Sequence, residues 1–108
     1  MVGAPKINKG RPFDSRSFEP RSAAAFGQAV RQLRLEAQVS QEDLANRANL
    51  ERAHVGRIER GENQPTLWVI LKLAEGLGVE PGALLNQTSL LLSRFQAIER
   101  GRVQASKS

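Results

Sequence analysis

The stretch SQEDLANRANLERAHVGRIERG, residues 40–61, decides the fold because it contains the start signal of a helix twice. Ser40 can cap a helix whose first turn includes Asp43, three residues later, in a shortened capping box. Glu51 stands at the start of a second helix, and Asn49 before it tolerates the left-handed conformation of a tight helix exit. The pattern therefore predicts a helix, a sharp turn and a second helix, each of about eight residues.

The second helix of this stretch is amphipathic, and its outward side is rich in arginine. At about 100° per residue, Val55 and Ile58 fall on the inward side of the helix. Ala53, Arg57 and Arg60 fall on the outward side. A helix this short is marginal in water by itself, so it must be held by the packing of its inner side chains. We therefore expect its outward side to contact something outside the protein.

Helical signals also continue through the rest of residues 22–87. Ser22 and Thr66 are the predicted N-caps of the first and fourth helices, and Pro81 takes the first position of the fifth. The residues of the fourth helix predicted to face inward are Leu67, Ile70, Leu71 and Ala74. No run alternates between apolar and polar residues as a half-buried strand would, so the predicted fold class is all-α.

The charge is distributed unevenly along the 108 residues, which carry a formal net charge of +5. Residues 1–22 hold five Lys/Arg against two Asp/Glu, residues 23–87 seven against eight, and residues 88–108 four against one. The basic character therefore lies in the two tails. Any binding of a polyanion by the central part must depend on where its arginines are placed, because its bulk charge is close to neutral.

Composition divides the chain and narrows its class. Residues 1–21 are predicted to be a flexible basic arm, residues 22–87 one helical domain, and residues 88–108 a C-terminal helix and tail. The chain has no cysteine, which excludes disulfides and thiolate metal sites. No apolar run approaches the roughly 18–20 residues of a membrane span, and the N-terminus lacks the apolar core of a signal peptide. These features predict a soluble, cytoplasmic protein.

The segment SQEDLANRANLERAHVGRIERGENQPTLWVILKLAEGLGV resembles the helix-turn-helix of the Xre/Cro/lambda-repressor-like family of bacterial and phage DNA-binding regulators. The resemblance rests on Ser40 to Ala45, Val55, Arg57 to Gly61, Pro65 with Leu67, and Leu73-Ala74 before Leu77-Gly78-Val79. It covers about residues 26–85 and implies a five-helix domain, here with an extra C-terminal helix. In this family the third helix lies in the major groove of DNA.

The resemblance assigns roles to individual residues of the chain. Those expected to read bases are Arg52, Ala53 and Arg57. A guanidinium can donate two hydrogen bonds to guanine, worth about 1–3 kcal/mol of discrimination between bases. The methyl group of Ala53 can contact that of thymine. Those expected at the flank or on the DNA backbone are Ser40, Gln41, Glu51, His54, Arg60 and Asn63. The amide of Gln41 is expected to point at a phosphate. Arg34 and Glu59 are expected to form a structural ion pair. The alternative for the arginines is a solvated helix face without a ligand.

Two positions depart from the family pattern, and the basic arm offers a further set of possible DNA contacts. Glu51 takes an N-cap position where Ser or Thr is usual, and Glu62 lies in a loop where lysine is common, which weakens the expected phosphate affinity there. The arm can compensate by following the DNA backbone or entering a minor groove with its basic residues Lys6, Lys9, Arg11 and Arg16. A solvated arm without function fits the sequence equally well. Trp68 is interpreted as a packing residue.

Apolar residues beyond the needs of a five-helix domain predict self-association. The residues assigned to a dimer interface are Val69, Leu73, Leu84, Leu91, Leu92, Phe95 and Ile98. A twofold dimer would present two recognition helices to half-sites about 34 Å apart. The alternative is that residues 91–98 fold back on the same monomer.

The predicted function is a sequence-specific transcriptional regulator of double-stranded DNA, a repressor or autoregulator acting as a homodimer on a pseudo-palindromic operator. The segment NLERAHVGRIERG is similar to restriction–modification controller proteins, while phage repressors and stand-alone host regulators fit the same residues. The alternative is an antitoxin that binds a co-encoded toxin and represses its own operon. RNA polymerase is a further possible partner. No catalytic constellation, cofactor site or metal site is evident, since the lone His54 has no partner at a plausible spacing.

Overall fold

The computed structural model describes residues 18–107, with side chains described through Gly101, as a bundle of five helices. They are α1 (Pro20–Glu36), α2 (Gln41–Ala48), α3 (Arg52–Glu59), α4 (Leu67–Leu77) and α5 (Pro81–Lys107). No strand occurs between residues 18 and 107, and the predicted all-α, five-helix fold is confirmed. Most of the predicted arm, residues 1–17 with its four basic side chains, lies outside the described residues.

The first helix begins earlier than the sequence predicts. Glu19, and not Ser22, is its N-cap: the Glu19 carboxylate accepts hydrogen bonds from the backbone N–H of Arg21 at 3.0 Å and of Ser22 at 2.9 Å. These two bonds, with that of Arg21 the stronger influence, lower the pKa of the Glu19 carboxyl. Pro20 takes the first helical position, where its missing N–H leaves no hydrogen bond unmade. The helical part of the chain therefore starts at Pro20 and not at residue 22.

Residues 40–61 fold as helix, turn and helix, as their capping signals predict. The Ser40 hydroxyl accepts a hydrogen bond from the backbone N–H of Asp43 at 3.0 Å. Asn49 ends α2 in the left-handed conformation, with φ of 56°. Glu51 precedes α3 but makes no side-chain hydrogen bond to it. Because α3 lacks a side-chain cap, its position depends on packing and on the contacts of its C-terminal end.

One core holds the bundle together and receives side chains from every helix. The largest fully buried side chains are Val30, Leu44, Val55, Ile58, Leu73 and Leu84. Burying an aliphatic side chain of this size contributes about 1.5–3 kcal/mol. The eight-residue helices α2 and α3 are too short to be stable alone, so this burial is what maintains them.

The inward side of the fourth helix differs in part from the predicted one: Ala74 is buried and Ile70 packs against the core as expected, but the other two predicted residues do not. Leu67 and Leu71 are exposed, while Val69 and Leu73 are buried. The run LWVILKLA is apolar around almost the whole helix, so its periodicity does not select a face. Gly76 selects it: a Cβ at this position would lie 2.9 Å from Leu44 Cδ1 and 3.2 Å from the backbone nitrogen of Ala48, so α2 approaches on the glycine's side. Val69 and Leu73 share that side because they stand seven and three residues before Gly76.

The predicted fifth helix and the separate C-terminal helix are one continuous helix, α5, of 27 residues. No proline or glycine interrupts residues 83–100. The helix accommodates the polar residues around Thr88, and the Thr88 hydroxyl donates a hydrogen bond to the carbonyl of Leu84, one turn earlier, at 2.9 Å. Despite this length, no helix between residues 18 and 107 is apolar enough over a sufficient stretch to cross a membrane.

The long fifth helix runs antiparallel to α1 and covers it. Gln87, near its start, donates a hydrogen bond to Gln32 at 2.7 Å, and Glu99, near its end, accepts one from Arg21 at 2.8 Å. Leu91 lies between these two contacts and is 3% exposed. The C-terminal segment is therefore part of the monomer's own packing.

Four of the residues predicted to form a dimer interface are buried in the monomer, and this part of the prediction is wrong. They are Val69, Leu73, Leu84 and Leu91, with exposures of 6%, 0%, 0% and 3%. Leu92 and Phe95 are half-buried and pack against the same core. Only Ile98, at 56% exposure, presents most of its surface. The folded-back alternative thus describes Leu91 to Phe95, because α1 supplies the apolar surface that a partner was expected to supply.

Candidate nucleic-acid interface

The outward side of α3 presents cationic side chains on a well-packed support. Val55 and Ile58 are fully buried, whereas Arg52, Ala53 and Arg57 are exposed. The inward and outward sides of this helix are therefore those that its amphipathic pattern predicts. The burial of the two apolar side chains fixes the rotation of α3 about its axis, which determines the directions in which the arginines point.

A shallow groove lies between α3 and the start of α2. Its volume is about 380 Å³, and its lining residues are Gln41, Arg52, Ala53, Gly56, Arg57 and Arg60. All three residues predicted to read bases line it, together with Gln41 and Arg60, which were predicted to contact the DNA backbone. Residues from two helices thus converge on one surface that is open to a large ligand.

Gly56 gives this groove its floor. The residue is buried, and a Cβ built on it would lie 3.1 Å from Nη1 of Arg60 and 4.0 Å from Oε1 of Gln41. The Arg60 guanidinium therefore lies close over the glycine backbone. A larger side chain would fill the space between the two polar groups, so glycine keeps the groove concave.

The predicted ion pair between Arg34 of α1 and Glu59 of α3 is present and almost closed to solvent. Arg34 Nε donates to Glu59 Oε2 at 2.6 Å and Nη2 to Oε1 at 3.0 Å, with side-chain exposures of 10% and 3%. Arg34 Nη1 also donates to the carbonyl of Val39 at 3.0 Å. The hydrogen bond to Glu59 raises the pKa of Arg34, and burial opposes that rise. The pair fixes the C-terminal end of α3 to α1 and to the loop before α2.

Gln41 is tied to the same carboxylate. Its Nε2 donates to Glu59 Oε1 at 3.0 Å. The amide, which was predicted to point at a phosphate, therefore already has one partner inside the protein. An amide nitrogen carries two hydrogens, and only one of them is used here. Glu59 therefore sets the orientation in which Gln41 faces the groove.

Arg60, at the end of α3, pairs with a carboxylate of the following loop. Its Nε donates to Glu62 Oε2 at 2.5 Å and its Nη2 to Oε1 at 3.4 Å. The side chain of Arg60 is 60% exposed and that of Glu62 is 50% exposed. The hydrogen bond is the main cause that raises the pKa of Arg60 and lowers the pKa of Glu62. Arg60, which was predicted to contact the DNA backbone, therefore already has a carboxylate partner within the chain.

The other predicted flanking residues differ in how far they are available. Glu51 is exposed beside the groove, and the Ser40 hydroxyl is occupied as the cap of α2. His54 and Asn63 are half-buried at the sides of α3 and of the loop after it. None of these four residues lines the groove, and their contacts with DNA remain a prediction.

Gly27 is a residue that the sequence analysis missed. It lies in α1, and a Cβ there would lie 2.1 Å from the carbonyl oxygen of Ile58 and 2.8 Å from that of Glu59. The end of α3 therefore rests directly on the backbone of α1. An isolated glycine inside a strong helical pattern is the signal that could have revealed this approach, since it is unfavourable unless packing requires it.

A second exposed surface, apolar in character, covers the outer side of α4. Leu67, Trp68 and Leu71 are 70%, 56% and 45% exposed, so the interpretation of Trp68 as a packing residue is wrong. Lys72 Nζ lies 5.4 Å from the centre of the Trp68 ring, in the range of a cation–π contact. We call these three apolar residues the outer face of α4.

The groove beside α3 can bind a large anion and also distinguish its chemical groups. Guanidinium groups form paired hydrogen bonds with phosphate or with the edge of guanine. The exposed methyl group of Ala53 offers an apolar contact between them. A donor-rich helix that projects from a rigid support suits insertion into a groove wide enough for a helix.

The family and the known relatives agree with this geometry. The model of the helix-turn-helix domain family matches residues 25–88, more than half of the chain. The control protein C.BamHI of Bacillus amyloliquefaciens is 44% identical over 66 residues, which span 60% of this chain and 82% of that protein. The predicted resemblance to helix-turn-helix regulators, including restriction–modification controllers, is confirmed.

Two solved structures have the same fold. The restriction–modification controller C.AhdI of Aeromonas hydrophila superposes with a TM-score of 0.56 at 45% identity, covering 57% of this chain and 94% of that one. The controller C.Esp1396I superposes with a TM-score of 0.65 at 26% identity, covering 68% of this chain and 97% of that one. The latter structure contains C.Esp1396I as a tetramer in complex with its natural 35-base-pair operator.

Proposed function

Because the chain belongs to the helix-turn-helix domain family, we propose that it is a sequence-specific transcriptional regulator that binds double-stranded DNA. In this proposal it is a repressor that acts as a homodimer on a pseudo-palindromic operator. The observation that carries this proposal is the division of α3 into two sides. Val55 and Ile58 anchor the helix in the core, and Arg52 and Arg57 are left exposed in a groove. Between residues 18 and 101 neither arginine forms an ion pair, so both guanidinium groups can bind a ligand.

Base reading is the role proposed for Arg52, Ala53 and Arg57. The major groove of B-DNA is wide enough for an α-helix and distinguishes all four base pairs. An arginine that donates to O6 and N7 of guanine discriminates against other bases by about 1–3 kcal/mol. Ala53, between the two arginines, suits the methyl group of thymine. The rigid packing of α3 supports specificity because the guanidinium groups start from fixed backbone positions.

Contacts with the DNA backbone are proposed for the start of α2 and the end of α3. A phosphate at the start of α2 can accept from backbone N–H groups of its first turn that Ser40 does not cap and from the second amide hydrogen of Gln41. Arg60 and Asn63 are the corresponding candidates after the groove. Because these contacts release counterions, specific binding should weaken by about 100-fold or more between 50 and 200 mM salt.

A homodimer is proposed through the outer face of α4, in place of the buried residues first assigned to it. Leu67, Trp68 and Leu71 lie within about 100° of one another around the helix, and each exposes apolar surface. Lys72 and Glu75 lie on the Trp68 side of this face and are 4.0 Å apart, so in a twofold dimer each can pair with the oppositely charged residue of the partner. The operator-bound tetramer of C.Esp1396I supports an oligomeric form on DNA.

The dimer interface can be tested apart from DNA binding. Trp68→Glu should convert the dimer into a monomer without unfolding it, because the side chain is already exposed. Ile98→Glu, on the exposed part of α5, is the matched control and should leave the dimer intact. Sedimentation velocity distinguishes the two results, and the opposite pattern would move the interface to α5.

The antitoxin alternative is not carried forward, because the relatives described above are named as control or controller proteins. A regulator of bacterial or phage genes acts on DNA in the cytoplasm, so the proposed function implies a cytoplasmic protein. The proposal does not require a cofactor, since every group assigned to DNA contact is a side chain or backbone amide of the chain.

Selection of bound duplexes from a random DNA pool tests the proposed function directly. The expected result is an enriched sequence with twofold symmetry and half-sites about 34 Å apart, one turn of the double helix. Arg52→Ala/Arg57→Ala serves as the control and should lose the enrichment while remaining folded. Failure of the unmodified protein to prefer any duplex at physiological salt would refute sequence-specific regulation.

A further inference from the structure

The turn after α3 fixes the backbone of Glu62 at the C-terminal end of the groove. The backbone N–H of Gly61 donates to the carbonyl of Ile58 at 3.0 Å, and that of Glu62 to the carbonyl of Arg57 at 2.9 Å. Gly61 has a positive φ of 74°, and a Cβ there would lie 3.0 Å from Cα of Ala24. The turn is therefore closed by two hydrogen bonds and packed against α1. Its conformation leaves little freedom for the start of the Glu62 side chain.

From this turn, the Glu62 carboxylate reaches Arg60, the C-cap residue of α3. It accepts from Arg60 Nε at 2.5 Å and from Nη2 at 3.4 Å. Arg57 lies near enough for its charge also to lower the pKa of Glu62, as a smaller influence than the Arg60 hydrogen bond. Glu62 thus places a negative charge beside the two arginines at the C-terminal end of the groove, while Arg52 lines the other end.

We propose that Glu62 occupies on Arg60 the place that a DNA phosphate takes in the complex, so that this loop carboxylate limits the affinity of the α3 surface for the DNA backbone. The inference rests on the proposed DNA-binding function. A carboxylate and a phosphate both present anionic oxygens to a guanidinium fork, and one fork cannot pair fully with both. The Nε–Nη2 edge of Arg60 therefore pairs with a phosphate only by exchanging Glu62. The other edge, whose Nη1 lies over Gly56, keeps its donors but belongs to a guanidinium whose charge Glu62 already offsets.

This exchange has a consequence for the salt dependence of binding. An arginine without an internal partner releases about one counterion from DNA when it neutralises a phosphate, which contributes roughly 0.9 to the slope of log affinity against log salt. When Arg60 exchanges Glu62 for a phosphate, the freed carboxylate attracts a cation again. The net release from this contact is then close to zero, so Arg60 adds little to the salt slope of the unmodified protein.

The experiment compares Glu62→Gln, Arg60→Gln and the double variant with the unmodified full-length chain. Glu62→Gln keeps the size of the side chain but removes its charge. The probe is a labelled duplex of random sequence, about 30 base pairs long, because phosphate contacts do not depend on sequence. Affinity is measured from 50 to 300 mM salt by fluorescence anisotropy. The matched control is Glu99→Gln, which makes the same charge change in an exposed pair with Arg21 at 2.8 Å, away from the groove.

We expect Glu62→Gln to tighten binding by about threefold for each protomer, which is the scale of one exposed ion pair. For a dimer, with two such pairs, the expected gain is about tenfold. The salt slope should steepen by about 0.9 for each protomer. Both changes should vanish when Arg60→Gln is added, and Glu99→Gln should show neither. This pattern would establish Glu62 as a competitor of phosphate at Arg60.

Three results would overturn the inference. An unchanged slope in Glu62→Gln would mean that the pair does not hold Arg60 in solution. Equal tightening with and without Arg60→Gln, or in Glu99→Gln, would mean a general charge effect. If the unmodified chain binds no duplex at any salt concentration, the proposed function fails and this inference fails with it; in the first two cases DNA binding itself stands.

Discussion

Replacing Gly27 with alanine tests whether the close approach of α1 and α3 holds the recognition helix in place. In an ordinary helix interior, Gly→Ala stabilises by about 0.5–1 kcal/mol because it reduces the freedom of the unfolded chain. Here the added Cβ would lie 2.1 Å from the Ile58 carbonyl oxygen and 2.8 Å from that of Glu59. Since both atoms belong to the backbone, no side-chain rotation can relieve the clash, and the helices must separate.

Overpacking of this kind usually destabilises by about 1–3 kcal/mol, and its upper end applies because backbone opposes backbone. After subtracting the helix-propensity gain, we expect Gly27→Ala to lower the free energy of unfolding by about 2 kcal/mol. Such a loss corresponds to a fall in the melting temperature of roughly 8–16 °C for a domain of this size.

The assay is urea unfolding followed by circular dichroism, with Gly101→Ala as the matched control. Gly101 also lies within a helix, but nothing is within 4 Å of its added Cβ, so this change should be neutral or slightly stabilising. A Gly27→Ala protein as stable as the unmodified one, or more stable, would refute the close approach. If Gly101→Ala lowered the stability by the same amount, the loss could not be assigned to the contact between α1 and α3, and this reasoning would be refuted as well.

Three further perturbations address DNA reading, the path of α5 and the cap of α1. Arg57→Ala should weaken binding to the selected operator by about 1–3 kcal/mol and relax preference at one base position; an equal loss on all sequences would instead make Arg57 a phosphate contact. Truncation after Gln87 removes Leu91, which is 3% exposed, and should destabilise the monomer by about 2 kcal/mol or more, measured by urea unfolding; an unchanged midpoint would contradict its place in the core. Because its folded-state pKa is lowered, Glu19 stabilises α1 above the ordinary glutamate pKa and loses that effect as pH falls through the folded value. Thermal unfolding of Glu19→Gln should therefore depend less on pH in this acidic range, and identical pH profiles would argue against the cap.

The helix-turn-helix could be predicted from sequence because its signals are local. Ser40 caps α2 within three residues, and Asn49 ends it within the same stretch. The inward side of α3 follows from Val55 and Ile58, the two large apolar residues within that helix. Each signal lies within one or two helical turns of the structure it specifies, so no distant part of the chain had to be known.

The site was predicted in outline, but its internal partners were not. Arg52, Ala53 and Arg57 line the groove as expected. The pairing of Arg60 with Glu62 was missed, although Glu62 was recognised as a departure from the family pattern. Sequence shows which residues carry charge, but the choice between an internal partner and solvent depends on the turn at Gly61.

What the sequence determined by itself is therefore the first four helices, the short connections between them and the cationic side of α3, because capping and periodicity act over a few residues. Tertiary structure decided which side of α4 is buried and where α5 runs. An apolar helix such as α4 has several equally apolar sides, and Gly76 selects one only when α2 is packed against it. Leu91 could have served a partner or the monomer equally well, and it belongs to the core because α1 lies antiparallel to α5 between Gln87 and Glu99.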